Sequence, residues 1–236
     1  LGATARSLQG NGCAPFEVAG LLRGGETAIE AVTSQYLTSL LMACPLADGD
    51  SHIRVPVLNE APYVEITLDW LKRQGIEVGH ETLREFHVPG GQAYAPVNRR
   101  IPADFSSATF FLAAGALGDN QVLCEGLDMG DTQGDMAVLE YLKALGALVE
   151  TEEMGIRVTA RTLRGCELDL NATPDALPMM AVVGCFAEGV TRLVNVPQAR
   201  LKETDRIAVM REELEKMGGR IRELEDGLVI ERSDLK

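Results

Sequence analysis

The sequence predicts an α/β protein made of repeated βαβαββ units, and three observations carry that prediction. Helices that stop at a glycine recur at one spacing, an almost wholly apolar helix precedes each of them, and a short β-rich run follows each glycine. Residues 68–78, 139–149 and 211–221 each read as the end of an amphipathic helix, a glycine stop and an entering strand. The stops, Gly75, Gly146 and Gly218, lie 71 and 72 residues apart. Recurrence of several landmarks at one period is the signature of a repeat.

Taken in chain order, residues 1–22 read as an orphan hairpin from a unit upstream, and three units then fill residues 23–236. The apolar helices fall at about 34–46, 106–117 and 175–187. They end at the turns Asp48-Gly49, Gly118-Asp119 and Glu188-Gly189, and lead into strands at His52–Val55, Gln121–Leu123 and Thr191–Val194. After each glycine stop, the strand opening at Ile76, Ala147 or Arg220 pairs with Phe86–Val88, Ile156–Val158 or Leu228–Ile230 as a hairpin. A helix apolar on every face belongs inside, and its amphipathic partner covers the outside; the sheets are therefore expected outermost. Gly and Pro break both periods in the loop Pro89–Pro96, which divides the chain into residues 1–100 and 101–236.

Hydrophobic residues make up 46% of the 236-residue chain and charged residues 24%, enough apolar material for one large or two smaller cores. A formal net charge of −13 opposes broad contact with nucleic acid or an anionic membrane. A small anionic ligand then needs a local basic pocket. Cys13, Cys44, Cys124, Cys166 and Cys185 are scattered and lack zinc or redox spacing, so they read as reduced, mostly buried thiols of a cytosolic protein. No apolar run approaches the roughly 18 residues of a membrane span. His52, His80 and His87 lack metal-ligand spacing and belong on strands or turns, and neither Gly24-Gly25 nor Gly90-Gly91 forms a nucleotide loop. Trp70 shares a helical face with its leucine neighbours and reads as packing.

Three places carry candidate chemistry. Thr33 and Ser34 precede an apolar helix, where hydroxyls and free N–H groups cap the helix or receive an anion, and Gln35 adds an amide. Asp175 follows Pro174 in the first turn of the third unit's apolar helix, the place Ser34 holds in the first unit. The helix dipole favours an acid there; an acid meeting a hydroxyl can also take its proton. Lys202 and Arg206 are spaced to share one face if their segment is helical, with Glu203 held between positive neighbours. Such a cluster is either a solvated helix start or a pair of cations for one carboxylate or phosphate.

Residues 33–42, 101–108, 173–176 and 201–206 resemble, in order and interval, four segments of the 5-enolpyruvylshikimate-3-phosphate synthase family, and similarity extends over essentially the whole chain. The resemblance implies that family's inside-out α/β barrel of six such units in two lobes, here incomplete. It implies transfer of the enolpyruvyl group of phosphoenolpyruvate to the 5-hydroxyl of shikimate 3-phosphate, in aromatic amino acid biosynthesis, without metal or organic cofactor. By position, Thr33, Ser34, Gln35, Tyr63, Asp175, Gln198 and Lys202 would hold shikimate phosphate. Gln35, Lys202 and Arg206 would hold phosphoenolpyruvate, with Asp175 as base and Glu203 as proton donor. Residues 1–100 would belong to the shikimate phosphate lobe and 101–236 to the other.

Two substitutions depart from the family pattern. Glu60-Ala61 stands before Pro62-Tyr63 where a hydroxyl and a basic residue are usual; a carboxylate there would oppose a phosphate, so Glu60 either points away or alters that site. Gln198 stands in place of the common Asn. The family's amino-terminal Lys and Arg, its Gly-Asn-rich loop and its carboxy-terminal Asp-His-Arg segment have no counterpart, and Leu1 is not a Met; the expectation is an internal piece, inactive alone, whose open repeat ends invite self-association. Competing readings are the sister enzyme acting on UDP-N-acetylglucosamine, and a non-catalytic repeat scaffold.

Overall fold

The computed structural model describes residues 1–98 and 100–236. Its contacts divide the chain into two compact units, Leu1–Arg99 and Arg100–Lys236. Residue 99, beside the expected boundary, lies outside the described residues.

Unit 1 opens with an antiparallel hairpin, β1 (Thr4–Ser7) and β2 (Phe16–Ala19). One full repeat follows: β3 (Gly25–Ala28), α1 (Ser34–Ala43), β4 (Ser51–Arg54), α2 (Ala61–Arg73), β5 (Gly79–Glu81) and β6 (Glu85–Val88). The sheet order is β3-β4-β6-β5, with β3 parallel to β4 and the other pairs antiparallel. Leu37 and Leu41 of α1, Val64 and Leu71 of α2, and Ile53, Phe86 and Val88 of the sheet form one buried cluster.

Unit 2 holds α3 (Phe105–Gly115), β7 (Gln121–Glu125), α4 (Ala137–Leu145), β8 (Leu148–Thr151) and β9 (Gly155–Thr159). A further full repeat follows: β10 (Glu167–Asp169), α5 (Leu177–Phe186), β11 (Val190–Val194), α6 (Arg206–Lys216), β12 (Arg220–Leu224) and β13 (Gly227–Glu231). Its sheet order, β10-β11-β13-β12, reproduces unit 1 pair for pair, including the parallel first pair. The three glycine stops all adopt positive φ (73° at Gly75, 107° at Gly146, 95° at Gly218), the left-handed turn a residue without Cβ enters at no steric cost.

Three sequence expectations need correction. The middle repeat has a three-stranded sheet, β7-β9-β8, and among the described residues no opening strand lies beside β7. Pro89, Pro96 and Pro102 punctuate the stretch before α3, and each lacks the N–H a ladder needs. In unit 1 the strand starts at Gly79 and not at Ile76, because the Gln92 side chain takes both backbone groups of Glu77: Oε1 accepts its N–H at 2.7 Å and Nε2 donates to its carbonyl at 3.0 Å. Finally, an apolar helix is not buried on every face. Leu177, Met180, Ala181, Val183 and Cys185 of α5 are sealed, whereas Phe110 and Phe111 of α3 are 53% and 65% exposed.

The five cysteines are free; Cys44 and Cys185 are buried, Cys124 and Cys166 half-buried, and Cys13, in the turn of the first hairpin, is exposed. Burial pushes the Cys185 thiol up to about 11, which keeps it protonated and inert. Among the described residues no helix is long and apolar enough to cross a membrane.

Candidate functional site

In unit 1 the candidate residues gather where α1 and α2 begin. Thr33 is the N-cap of α1 in extended geometry (φ −120°, ψ 142°), yet its hydroxyl does not cap its own helix. The cap comes from Glu60, which is itself the N-cap of α2 and sits in the left-handed region at φ 58°. Its Oε2 accepts the Thr33 hydroxyl at 3.2 Å, the Ser34 hydroxyl at 2.8 Å and the Ser34 backbone N–H at 3.1 Å. The carboxylate is 1% exposed. Burial of a charge is tolerable when hydrogen bonds replace water, and a helix start offers both donors and a favourable dipole. Of the two sequence alternatives for Glu60, the side chain does not point away: it lies against the start of α1, bonded to Thr33 and Ser34. Gln35 stays exposed beside it, and half-buried Tyr63 lies in the first turn of α2.

In unit 2 the candidates are built around one guanidinium. Arg206, the first residue of α6, forks onto Glu203 through Nε and Nη2, both at 2.8 Å, and reaches Asp175 through Nη1 at 2.5 Å. Asp175 lies in a 3-10 turn, Pro174–Ala176, that leads into α5. Arg206 holds Glu203 below the usual carboxylate range through these bonds, and Glu203 in turn pushes Arg206 further up, ahead of the smaller effect of Asp175. The three side chains line a cleft of about 370 Å³ with Ser106, Phe110, Pro178, Thr204, Val209 and Met210.

Lys202 and Arg206 do not share a helical face, as the spacing suggested. Lys202 ends the 3-10 turn Pro197–Leu201 and opens a bend that runs through Thr204, and the helix begins only at Arg206. Asp205 breaks the continuity by capping α6, its Oδ1 accepting the Ala208 N–H at 3.0 Å. Gln198, in that 3-10 turn, is 1% exposed and donates from Nε2 to the Asn171 carbonyl at 2.9 Å. Sequence reasoning passed over Arg200, which pins the segment through Asp205 and Glu223 (2.7 and 2.8 Å) and the Leu224 and Glu225 carbonyls. The available signal was an Arg five residues before an Asp that precedes a helix.

His52, His80 and His87 lie on β4, β5 and β6, with His52 and His87 opposite one another. Among the described residues no group of three or more His, Cys, Asp or Glu is arranged to hold a metal ion.

The βαβαββ repeat with its parallel first strand pair has the fold of the enolpyruvyl transferases, the inside-out α/β fold. The chain superposes on EPSP synthase from Acinetobacter baumannii with a TM-score of 0.74 and 27% identity, covering 98% of this chain and 54% of that one. It also shares the fold of the enolpyruvyl transferase NikO from Streptomyces tendae (TM-score 0.71, 18% identity, 98% and 55% covered). The family model of EPSP synthase (3-phosphoshikimate 1-carboxyvinyltransferase) matches residues 1–236, and the chain belongs to that family. Proteins named 3-phosphoshikimate 1-carboxyvinyltransferase from Ruminiclostridium cellulolyticum and Acetivibrio thermocellus are each 52% identical over 100% of this chain and 56% of their own length. One from Methanothrix thermoacetophila is 44% identical. The chain thus spans about half the length of the curated relatives it matches.

Proposed function

We propose that this chain is part of an enzyme that transfers the enolpyruvyl group of phosphoenolpyruvate to the 5-hydroxyl of shikimate 3-phosphate and releases inorganic phosphate. The observation that carries this reading is family membership along the entire chain, with relatives of that one name at 52% identity. Those relatives lend no support to the readings as a UDP-N-acetylglucosamine transferase or an inert scaffold.

The hydroxyl oxygen attacks C2 of phosphoenolpyruvate as C3 takes a proton, and the resulting tetrahedral adduct expels phosphate while its C3 methyl gives up a proton, which restores the carbon–carbon double bond. Asp175 receives the hydroxyl proton, and Glu203 delivers one to C3. Phosphoenolpyruvate is assigned to Gln35 of unit 1 and to Lys202 and Arg206 of unit 2, whose cations suit its anionic groups; shikimate 3-phosphate is assigned to Thr33, Ser34, Gln35 and Tyr63 of unit 1 and to Asp175, Gln198 and Lys202 of unit 2. The clamp of Arg206 on Glu203 and Asp175 supports this assignment, since it couples ligand binding to proton position. An anion gripping Arg206 weakens its bonds to both carboxylates. Glu203, freed from the guanidinium that depresses it, rises towards a range in which it can carry a proton.

The test is phosphate release from the two substrates by the protein at the full length of its relatives. Arg206→Ala is expected to lower kcat/KM by about 100-fold or more, the usual effect of removing a preorganised charge donor. Full activity in that variant would overturn the assignment. The 236-residue chain alone is expected to show no turnover.

A further inference from the structure

We propose that Glu60 is an internal anion seated at the start of α1, and that a phosphate group enters this place only by displacing it, so that Glu60 sets how tightly unit 1 holds a phosphorylated ligand. Naming shikimate 3-phosphate as that ligand rests on the function proposed above.

The argument is one of donor supply. A hydroxyl carries a single proton, and those of Thr33 and Ser34 both go to Glu60 Oε2; the Ser34 N–H goes to the same atom. A phosphate arriving at α1 therefore meets oxygen lone pairs and a carboxylate of its own sign, where an empty helix start would offer three donors. The carboxylate is also fixed in place. It is 1% exposed, its backbone is left-handed at φ 58°, and Pro62 follows at the head of α2. A serine in its position would have neither the charge nor the reach to cross to Ser34, and the three donors would turn to a ligand. The remaining polar group at this start, the exposed Gln35 amide, can bind neutral hydroxyls whether or not Glu60 is present.

The experiment is an NMR titration of the isotope-labelled chain and of Glu60→Ser with inorganic phosphate, read at the Ser34 and Gln35 amides. In the unaltered chain these resonances are expected to drift without saturating. In Glu60→Ser they should saturate at a phosphate concentration at least 10-fold lower. Saturation of the unaltered chain at the same concentration as the variant overturns the proposal, as does a Glu60→Ser chain whose other resonances are unchanged but whose Ser34 amide ignores phosphate. Glu60→Gln keeps the side-chain length and one acceptor while removing the charge, and covers the case in which serine disturbs folding; it should respond between the two, and a response equal to the unaltered chain sinks the idea. Shikimate and shikimate 3-phosphate form a separate arm. Shikimate should perturb Gln35 equally in all three chains, and the 3-phosphate should favour Glu60→Ser. If neither compound perturbs any of them while inorganic phosphate still discriminates, the substrate reading falls and the role of Glu60 stands.

Discussion

The first helices of the two full repeats, α1 and α5, occupy the same place in the same topology, yet their charged starts are resolved in opposite ways. At α1 a carboxylate from the next helix is the acceptor for every donor it touches, and it is buried. At α5 the carboxylate, Asp175, lines a cleft and is matched by a guanidinium from the next helix. The bodies of the helices differ too. α5 packs against both α3 and α6, whereas α1 packs against α2 and leaves Tyr36 and Met42 more than half exposed. One backbone plan therefore supports either a sealed polar contact or an ion pair lining a cleft, and the side chain offered by the following helix decides which.

The largest expected effect tests the difference in burial. Leu177→Ala in α5 removes a side chain with no exposed surface and is expected to cost about 3 kcal/mol in urea unfolding, whereas Tyr36→Ala in α1 should stay within roughly 0.5 kcal/mol. Equal losses would remove the contrast between the two helices. Next comes Glu60→Ala, which strands the Ser34 N–H and two hydroxyls in a buried place and is expected to cost about 1–3 kcal/mol in the same measurement. The partner comparison, Asp175→Ala, leaves Arg206 still forked onto Glu203 and should cost less than about 1 kcal/mol. A larger penalty for Asp175 than for Glu60 would invert the reading of which start is sealed.

The smallest effect is a pH dependence. Glu203 is depressed in the folded chain, so its pairing with Arg206 contributes stability above its unfolded value near 4.5 and loses it as pH falls through the folded value. The melting temperature of the chain minus that of Glu203→Gln should be flat above about pH 5.5 and shrink below pH 4.5. Because Glu203 is two-thirds exposed, the slope will be shallow and will flatten in high salt. A difference that grows on acidification would contradict the ion pair.

Most of the architecture was legible because it rests on local chemistry repeated at one period. Glycine stops, apolar helix runs and β-rich hairpin strands each carry their own backbone preference, and the strands β6, β9 and β13 fall where those preferences put them. What escaped depends on tertiary partners. Nothing local to Gln92 announces that it will occupy the backbone of Glu77 and delay β5. Nor does the spacing of Lys202 and Arg206 reveal that Asp205 caps a new helix between them. At the site, the sequence marked Glu60 as discordant with a phosphate but left its direction open, since that direction follows from a left-handed backbone set by the turn before α2. The grouping of Asp175 with Glu203 and Arg206 joins residues about thirty positions apart and becomes visible only once α5 packs on α6.

Trp70, on the helix that Glu60 caps, is the single tryptophan of the chain and has the Arg73 guanidinium 5.6 Å from its ring centroid. Light absorbed only by indole therefore interrogates one half of the molecule and leaves the other dark. An emission-monitored melt follows the first repeat by itself, far-ultraviolet dichroism averages over all of them, and any gap between the two curves measures how far each half unfolds on its own.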